Sequence, residues 1–422
     1  MSDPRPPARS TRRDFLRNLG LISGGLAASV SPLKASPTDR PLRAGLVVPR
    51  STLFPELGDR IAAGFRLGLE RAARQGPAPR IDLVPVPVAA LPTAVARGAA
   101  RSLEQDQVDL VITLVNDAIL DSLIPVVQAH GTPLLGLTVG ADAPDSARSH
   151  PLVFLHSLEL WDACRTLAAW SCGHLGRRAM MASSFYESGF DHLNAFRSGF
   201  EQAGGELLRL QVTDTPGQPS RLAAFLQDVD RLRPDWVAAF YSGDEACHFF
   251  LLWQRLGLAG RVPLVGPAFL VEERLLARHG AAAVGVRSAL SWAPSLGGPE
   301  NLDFVRAYRA AERHVPDALA LLGYEAAGIL TQAASRVGRG SLSPGALAEA
   351  LRSVDYRGPR GECRLDGGTP SGHRPVYLRQ VAGGGRSLHN SILEELPPVT
   401  PSRLAAAGEG PRTGWLNPYL CL

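Results

Sequence analysis

The sequence lacks the motifs by which most α/β enzymes cradle phosphates or form covalent intermediates. It contains no GxGxxG, no GxxxxGK[ST] and no GxSxG, which excludes the common nucleotide-binding and nucleophile-elbow sites. Lys34 is the only lysine, so the chain beyond the N-terminal segment cannot use a lysine base or Schiff base. The ten histidines form no HxxxH or HExxH pair, and the five cysteines form no CxxC. We therefore expect no catalytic residue, no metal site and no cofactor.

The body of the chain also lacks a surplus of charge. Residues 1–36 carry six basic and two acidic residues, and the remainder carries 38 of each sign. A balanced surface has no electrostatic footprint for a polyphosphate backbone. We expect no nucleic-acid partner.

No segment approaches the ~20 apolar residues that a membrane-spanning helix requires. The N-terminal stretch "STRRDFLRNLGLISGGLAASVSPLKAS" instead places Arg12 and Arg13 before a short, weakly apolar run and small residues. This pattern is typical of a twin-arginine export signal, although an arginine pair also occurs by chance. We predict that residues 1–36 are this signal and that the mature protein is periplasmic.

From residue 43 onward, short apolar strands alternate with amphipathic helices. "RAGLVVP" precedes the helical pattern "ELGDRIAAGFRLGLERAARQG", and the same unit recurs twice before "PLLGLT". A second series of such units begins after "HPLVFLHS". Strands buried on both faces and alternating with helices predict parallel sheets. We therefore predict an α/β fold of two doubly wound lobes, with residues 398–422 as a surface tail.

Four segments in sequence resemble one known family. These are "SSFYESGFDHLNAFRSGFEQAGGELL", "LGYEAAGILTQAAS", "LAEALRSVDYRGPRGECRLD" and "YLRQVAGG". Their order on an exported, two-lobed α/β body resembles the type I periplasmic binding proteins of the leucine/isoleucine/valine class. Members of this class are the substrate-binding components of ABC importers. The resemblance extends from Arg43 to about Leu396.

The resemblance implies two lobes joined by a hinge, with a ligand cleft between them. The first lobe would comprise residues 42–156 and 285–358, and the second 157–284 and 359–397. The ligand would lie at the carboxyl ends of the strands, and hinge motion would enclose it. It also implies a small-molecule ligand, an ABC permease of the inner membrane as partner, and a monomer, with a dimer as the alternative.

Family members hold the ligand carboxylate with hydroxyls and helix N-termini of the first lobe, and its ammonium with acids and aromatics of the second. Helix N-termini favour anions, and a buried cation requires a carboxylate. The positions that match in the first lobe are Asn116, Asp117, Thr138, Gly140 and Asp142. Those that match in the second lobe are Tyr186, Tyr241, Asp244 and Phe269.

Five of these positions also have a purely structural interpretation. Asp244 follows a strand and a glycine, where an acid commonly caps or begins a helix. As a ligand contact, Asp244 would pair with an amino group and its neighbour Glu245 would be solvated. Tyr186 and Tyr241 lie at strand ends, where aromatics often pack at an edge. Asn116 and Asp117 have the same alternative role as helix caps.

Two loops depart from the family pattern. The third strand is followed by "LVNDA" instead of a loop rich in Ser and Thr, and the first by "PRSTLF" instead of a glycine turn. An ionised Asp117 near a ligand carboxylate would be repulsive by roughly 1 to 4 kcal/mol, depending on the local dielectric. Either Asp117 points away, or the ligand is not a simple α-amino acid.

Three functions fit these observations. The first is capture of a small polar organic ligand, an amino acid or a related amide or organic acid, for an importer. The second is ligand sensing for a membrane receptor on the same fold. The third is a periplasmic enzyme, whose candidate catalytic residues would be Asp244, Glu245 and His248.

Overall fold

The computed structural model describes most of the chain between residues 40 and 397. The described ranges are 40–50, 55–89, 91–115, 117–140, 150–189, 191–215, 217, 220–338, 343–366, 369–370, 374–385 and 387–397. The predicted export signal and the predicted tail lie outside them.

The first sheet consists of five parallel strands whose apolar side chains are mostly buried. Each strand is short and joined to the next by a helix or a loop, as parallel pairing requires. Numbered along the chain and given in spatial order, they are β2 (Ile81–Val88), β1 (Leu42–Pro49), β3 (Leu110–Leu114), β4 (Leu134–Thr138) and β5 (Val153–Ser157).

Helices cover both faces of the first sheet. On one face, α1 (Leu57–Gln75) and α10 (Ala318–Val337) share a core with Leu46 of β1. On the other, α2 (Pro92–Glu104) and α3 (Asp117–His130) share a core with the next residue, Val47. The alternation of Leu46 and Val47 between the two cores shows why these strands are apolar throughout.

Two glycines allow α1 and α10 to approach closely. A Cβ added at Gly64 would lie 1.9 Å from the carbonyl oxygen of Ala320, and one added at Gly323 would lie 2.0 Å from that of Ile61. Any side chain at these positions would therefore push the two helices apart.

The second sheet has seven strands. Five run parallel to one another, and the last two in the chain each pair antiparallel with their neighbours. Helices α4 (Leu160–His174) and α5 (Asp191–Gln202) cover one face. Helices α6 (Leu222–Leu232) and α7 (Gly243–Arg255) cover the other. In spatial order the strands are β15 (His389–Leu396), β14 (Val376–Ala382), β10 (Arg287–Leu290), β9 (Leu264–Val265), β8 (Trp236–Phe240), β6 (Arg178–Ser184) and β7 (Glu206–Thr213).

Three further α-helices, a small sheet and three 3-10 helices (Glu187–Gly189, Ala268–Val271 and Gly280–Ala283) complete the described elements. A short helix, α8 (Leu276–His279), belongs with the second sheet. Helices α9 (Pro299–Glu312) and α11 (Pro344–Arg352) pack with α10 on the first. Strands β11 (Asp355–Gly358), β12 (Gly361–Asp366) and β13 (Thr369–Pro370) form a three-stranded sheet.

The described chain passes between the lobes after β5, after β10 and between β13 and β14. The predicted boundary at residue 285 is wrong for β10, because this strand pairs with β9 and β14 of the second sheet. The predicted boundary at 358 is also wrong, because it divides the paired strands β11 and β12. Strands β12 and β13 pack against β5, which places them with the first lobe.

A buried ionic network connects two of these crossings. Arg360, in the turn between β11 and β12, donates from Nη2 to Glu325 Oε2 at 2.6 Å and from Nη1 to the carbonyl oxygen of Ser157 at 2.8 Å. Its Nη1 also donates to Ser291 Oγ at 3.1 Å, just after β10. Glu325 Oε2 lies 2.9 Å from His156 Nε2. Arg360 therefore fixes the ends of β5 and β10, where the chain leaves each lobe.

The carboxylate of Glu325 depends on its two basic partners. Burial alone would raise the pKa of Glu325, but Arg360 and His156 outweigh this effect and hold the pKa below its usual range. Removing one member of such a buried pair strands an unpaired charge.

We predict that Arg360→Met lowers the free energy of unfolding by about 3 to 5 kcal/mol, because Glu325 stays buried with one partner fewer. Urea denaturation monitored by circular dichroism measures the loss. The control is Arg357→Met in the same hairpin, since Arg357 is 66% exposed and pairs with Glu300 at 3.2 Å. An exposed pair contributes less than about 1 kcal/mol. Equal losses in the two variants would contradict the role of the network.

Candidate functional site

The candidate site lies at the carboxyl ends of the parallel strands, where open α/β sheets bind ligands. In the second lobe, the loops after β6, β7 and β8 bring polar side chains together there. Ser184 ends β6, Asp214 follows β7, and Ser242 precedes helix α7. Segments that are far apart in the chain thus meet at one edge.

Glu187 lies at the centre of this group and is buried. Its backbone N–H donates to Ser184 Oγ at 3.1 Å. Its carboxylate accepts a short hydrogen bond from Ser242 Oγ and lies 3.2 Å from His192 Nε2. The side chain is only 5% exposed. Hydroxyl and imidazole groups therefore fix a carboxylate at the mouth of the second sheet.

Glu245 adds a second carboxylate from the first turn of α7. Burial, together with the nearby charges of Glu187 and Asp214, raises its pKa to about 7, although a hydrogen bond from Ser184 acts in the opposite direction. Two or three acids that share a partly buried site repel one another, so a proton or a cation stabilises them. The acidic cluster, defined here as Glu187, Asp214 and Glu245, can therefore receive a positively charged group.

Tyr241 supports this cluster from behind. The Tyr241 hydroxyl lies 2.9 Å from Thr213 Oγ1, and the Thr213 hydroxyl donates to Asp214 Oδ2 at 2.6 Å. The ring is fully buried and stacks on Phe249 with centroids 4.9 Å apart. Burial raises the pKa of Tyr241 far above its ordinary value, so the hydroxyl stays neutral. The structure thus places Tyr241 in the core of the second lobe, where it positions Asp214 through Thr213.

The side chains of the two acids at the start of α7 are oriented opposite to the prediction. The side chain of Asp244 is 85% exposed and accepts from Arg278 Nη2 at 2.7 Å. Glu245 is the member that turns inward, so the prediction that it is solvated is wrong. Successive helical residues point about 100° apart, which separates the two side chains.

Helical phase contains the signal that identifies Glu245. Four residues after Glu245 comes Phe249, which is buried, whereas four residues after Asp244 comes His248, which is exposed. Residues four apart share a face of the helix. The buried stripe of α7 therefore points to Glu245.

The remaining predicted positions are distributed as follows. Tyr186 is buried in the loop that carries Glu187, and Phe269 is half-buried after β9. Thr138 ends β4, and Asp117 begins helix α3. Asn116 and Asp142 lie outside the described residues. The structure gathers no first-lobe position into the acidic cluster among the residues it describes.

Gly140 has a structural reason of its own. Its φ of +102° favours glycine, and an added Cβ would lie 2.3 Å from the backbone nitrogen of Leu160. Its carbonyl oxygen accepts from the N–H of Trp161 at 3.0 Å. Gly140 thus lets the end of the first sheet approach the start of α4, the first helix of the second lobe.

In the part of the chain that the structure describes, no three His, Cys, Asp or Glu residues are arranged to hold a metal ion. Nor does any helix there have the length and apolar content to cross a membrane.

Comparison with known proteins places this architecture. The profile of the periplasmic binding protein family matches residues 41–386. Leu/Ile/Val-binding protein homolog 6 of Brucella melitensis is 24% identical over 268 residues, which cover 62% of this chain and 67% of the relative.

Solved structures agree in fold. An ABC transporter solute-binding protein from R. palustris, in complex with benzoate, is 25% identical with a TM-score of 0.73, over 86% of this chain and 98% of that one. A leucine-binding protein from Thermotoga maritima is 18% identical with a TM-score of 0.67, over 85% and 99% of the two chains. This second likeness shows the fold alone.

The chain belongs to the periplasmic binding protein family, in the type I class that includes the Leu/Ile/Val-binding proteins. The predicted family and the predicted α/β fold of two lobes are confirmed. The residues that sequence reasoning missed are Ser184, Glu187, His192, Asp214, Ser242 and the inward orientation of Glu245.

We predict that Glu245 makes stability depend on pH. Its pKa is raised to about 7 from 4.5, so the folded protein holds this proton more tightly than the unfolded chain does. The contribution is complete below about pH 4.5 and is lost as pH rises towards 7. At 1.36 kcal/mol for each tenfold change in proton affinity, the loss is at most about 3 kcal/mol.

Urea denaturation between pH 4.5 and 8 tests this expectation. The difference in unfolding free energy between the native protein and Glu245→Gln should fall as the pH rises across this range. The same difference for Asp244→Asn, at the exposed neighbour, should not fall in this way. Parallel profiles for the native protein and Glu245→Gln would show that the cluster does not hold the proton.

Proposed function

We propose that this protein is the exported solute-binding component of an ABC importer and captures a small polar ligand that carries a cationic nitrogen. The acidic cluster carries this proposal. It lies where the family's fold presents ligands, and among the residues that the structure describes its three carboxylates outnumber the basic side chain that contacts them, His192. An amino acid or a related amine-bearing amide satisfies that excess of negative charge.

The same cluster argues against a simple aromatic carboxylate as the preferred ligand. Among the structural relatives, one was solved with benzoate and another with 3,4-dihydroxybenzoic acid, whereas curated relatives are described as Leu/Ile/Val-binding homologues. A ligand carboxylate about 4 Å from Glu187 would be repelled by about 4 kcal/mol at an effective dielectric of 20. A cationic group at the same distance gains a comparable attraction.

The family supports the location and the partner that we propose, and Arg12 and Arg13 support the export route. The protein would reside in the periplasm after export by the twin-arginine route, and it would deliver its ligand to an ABC permease of the inner membrane. Binding encloses the ligand between the lobes and makes or breaks no bond in it.

Isothermal titration of the mature protein tests the ligand class. Amino acids and their amides should bind, and benzoate and 4-hydroxybenzoate should bind at least tenfold more weakly. Tight binding of a benzoate with none of any amine-bearing compound would refute the assignment.

We predict that Glu245→Gln weakens binding of an amine-bearing ligand by at least tenfold, because it removes a carboxylate from the cluster while preserving shape. Asp244→Asn is the matched control, since its side chain is 85% exposed and directed towards Arg278. Titration calorimetry on both variants measures the difference. A stronger effect of Asp244→Asn than of Glu245→Gln would contradict this prediction and would indicate that Asp244 contacts the ligand.

A further inference from the structure

Two ion pairs join the two lobes. Arg60, in the first turns of α1, contacts Glu272 of the second lobe through Nη2. Arg274 of the second lobe contacts Glu56 of the first, with Nη2 2.6 Å from Oε2. The first pair places its cation on the first lobe and the second pair places its cation on the second lobe.

Arg60 is held in position by its own lobe. Its Nε donates to Asp317 Oδ2 at 2.8 Å. Asp317 also caps helix α10 by accepting from the backbone N–H groups of Leu319 and Ala320 at 2.9 and 3.0 Å. Because one carboxylate fixes both the arginine and the helix start, the remaining edge of the guanidinium faces the second lobe.

The segment of the second lobe that receives Arg60 is also anchored. Between Glu272 and Arg274 lies Glu273, which accepts from Asn390 Nδ2 at 2.9 Å and lies 3.4 Å from Arg379 Nη1. Asn390 also donates to the carbonyl oxygen of Val271 at 2.8 Å. Strands β14 and β15 therefore hold this segment rigidly, at the end of the loop that carries Phe269.

The Arg60–Glu272 pair, called the inner pair here, is largely removed from water. The side chains of Arg60 and Glu272 are 8% and 6% exposed. If the two side chains separated while the lobes stayed together, each charge would remain buried without a partner. Water reaches the charges only when the lobes move apart. The pair therefore favours one arrangement of the two lobes. The Glu56–Arg274 pair, called the outer pair here, is more exposed, since the Glu56 side chain is 60% exposed. Salt therefore screens its attraction more strongly.

We propose that the Arg60–Glu272 and Glu56–Arg274 pairs form a latch that sets the ratio of closed to open molecules. The latch residues position the lobes and do not contact the ligand. Their alternating signs select one register of closure, since sliding the lobes would bring like charges together.

The outer pair provides a test that preserves the fold. Glu56→Arg and Arg274→Glu each place like charges across the cleft, and the double variant restores an attractive pair with exchanged signs. Each single variant should lower the closed-to-open ratio by roughly three- to tenfold, and the double variant should recover most of it.

Small-angle X-ray scattering of the ligand-free protein measures the ratio through the radius of gyration. Arg278→Glu is the matched control, because Arg278 pairs with Asp244 inside the second lobe; it should leave the radius unchanged. Larger radii in both single variants, reversed in the double variant, support the latch. Equal radii in all five proteins, or no recovery in the double variant, overturn it. Because no ligand is added, this outcome is independent of the proposed ligand class.

Discussion

The cost of burying a carboxylate without a partner governs the arrangement of this protein. Wherever a buried acid serves the scaffold, a basic group meets it within hydrogen-bonding distance. Glu325 has Arg360 and His156, and Asp317 has Arg60. The acidic cluster of the second lobe is different, because Glu187 and Asp214 make it more costly to ionise Glu245. A surplus of buried negative charge at the mouth of a binding fold is what a cationic ligand relieves.

Rigid and separable contacts occupy different places in the fold. The network around Arg360 lies where the chain passes between lobes and is fully buried. The latch lies at the cleft, where its members come from opposite lobes. The closure that we propose is a rotation of the lobes about the Arg360 network, and the latch limits it.

The fold could be predicted from sequence because strands buried on both faces leave continuous apolar runs between helical patterns. The boundaries could not. Strand β10 has four residues, and nothing local in "RSAL" says whether it pairs with the first sheet or with β9 and β14. The hairpin that follows carries Arg360, whose partners lie on β5 and α10, far away in the chain.

The sequence predicted the loops of the candidate site but not the side chains that turn inward. Its loops were identifiable, since each follows a strand, but which side chain turns inward depends on helical phase and on neighbours. Glu245 could have been chosen over Asp244 from the buried stripe that includes Phe249. Asp214 and His192 could not, because only the tertiary placement of β7 and α5 brings them to Glu187 and Glu245.

Proton release on ligand binding tests the central claim most directly. A cation that enters the cluster lowers the pKa of Glu245 from about 7, so up to about half a proton should leave at pH 7. Titration of an amine-bearing ligand in buffers of different ionisation enthalpy measures this number. The account predicts release that disappears in Glu245→Gln; uptake of protons, or release unchanged in that variant, would contradict it.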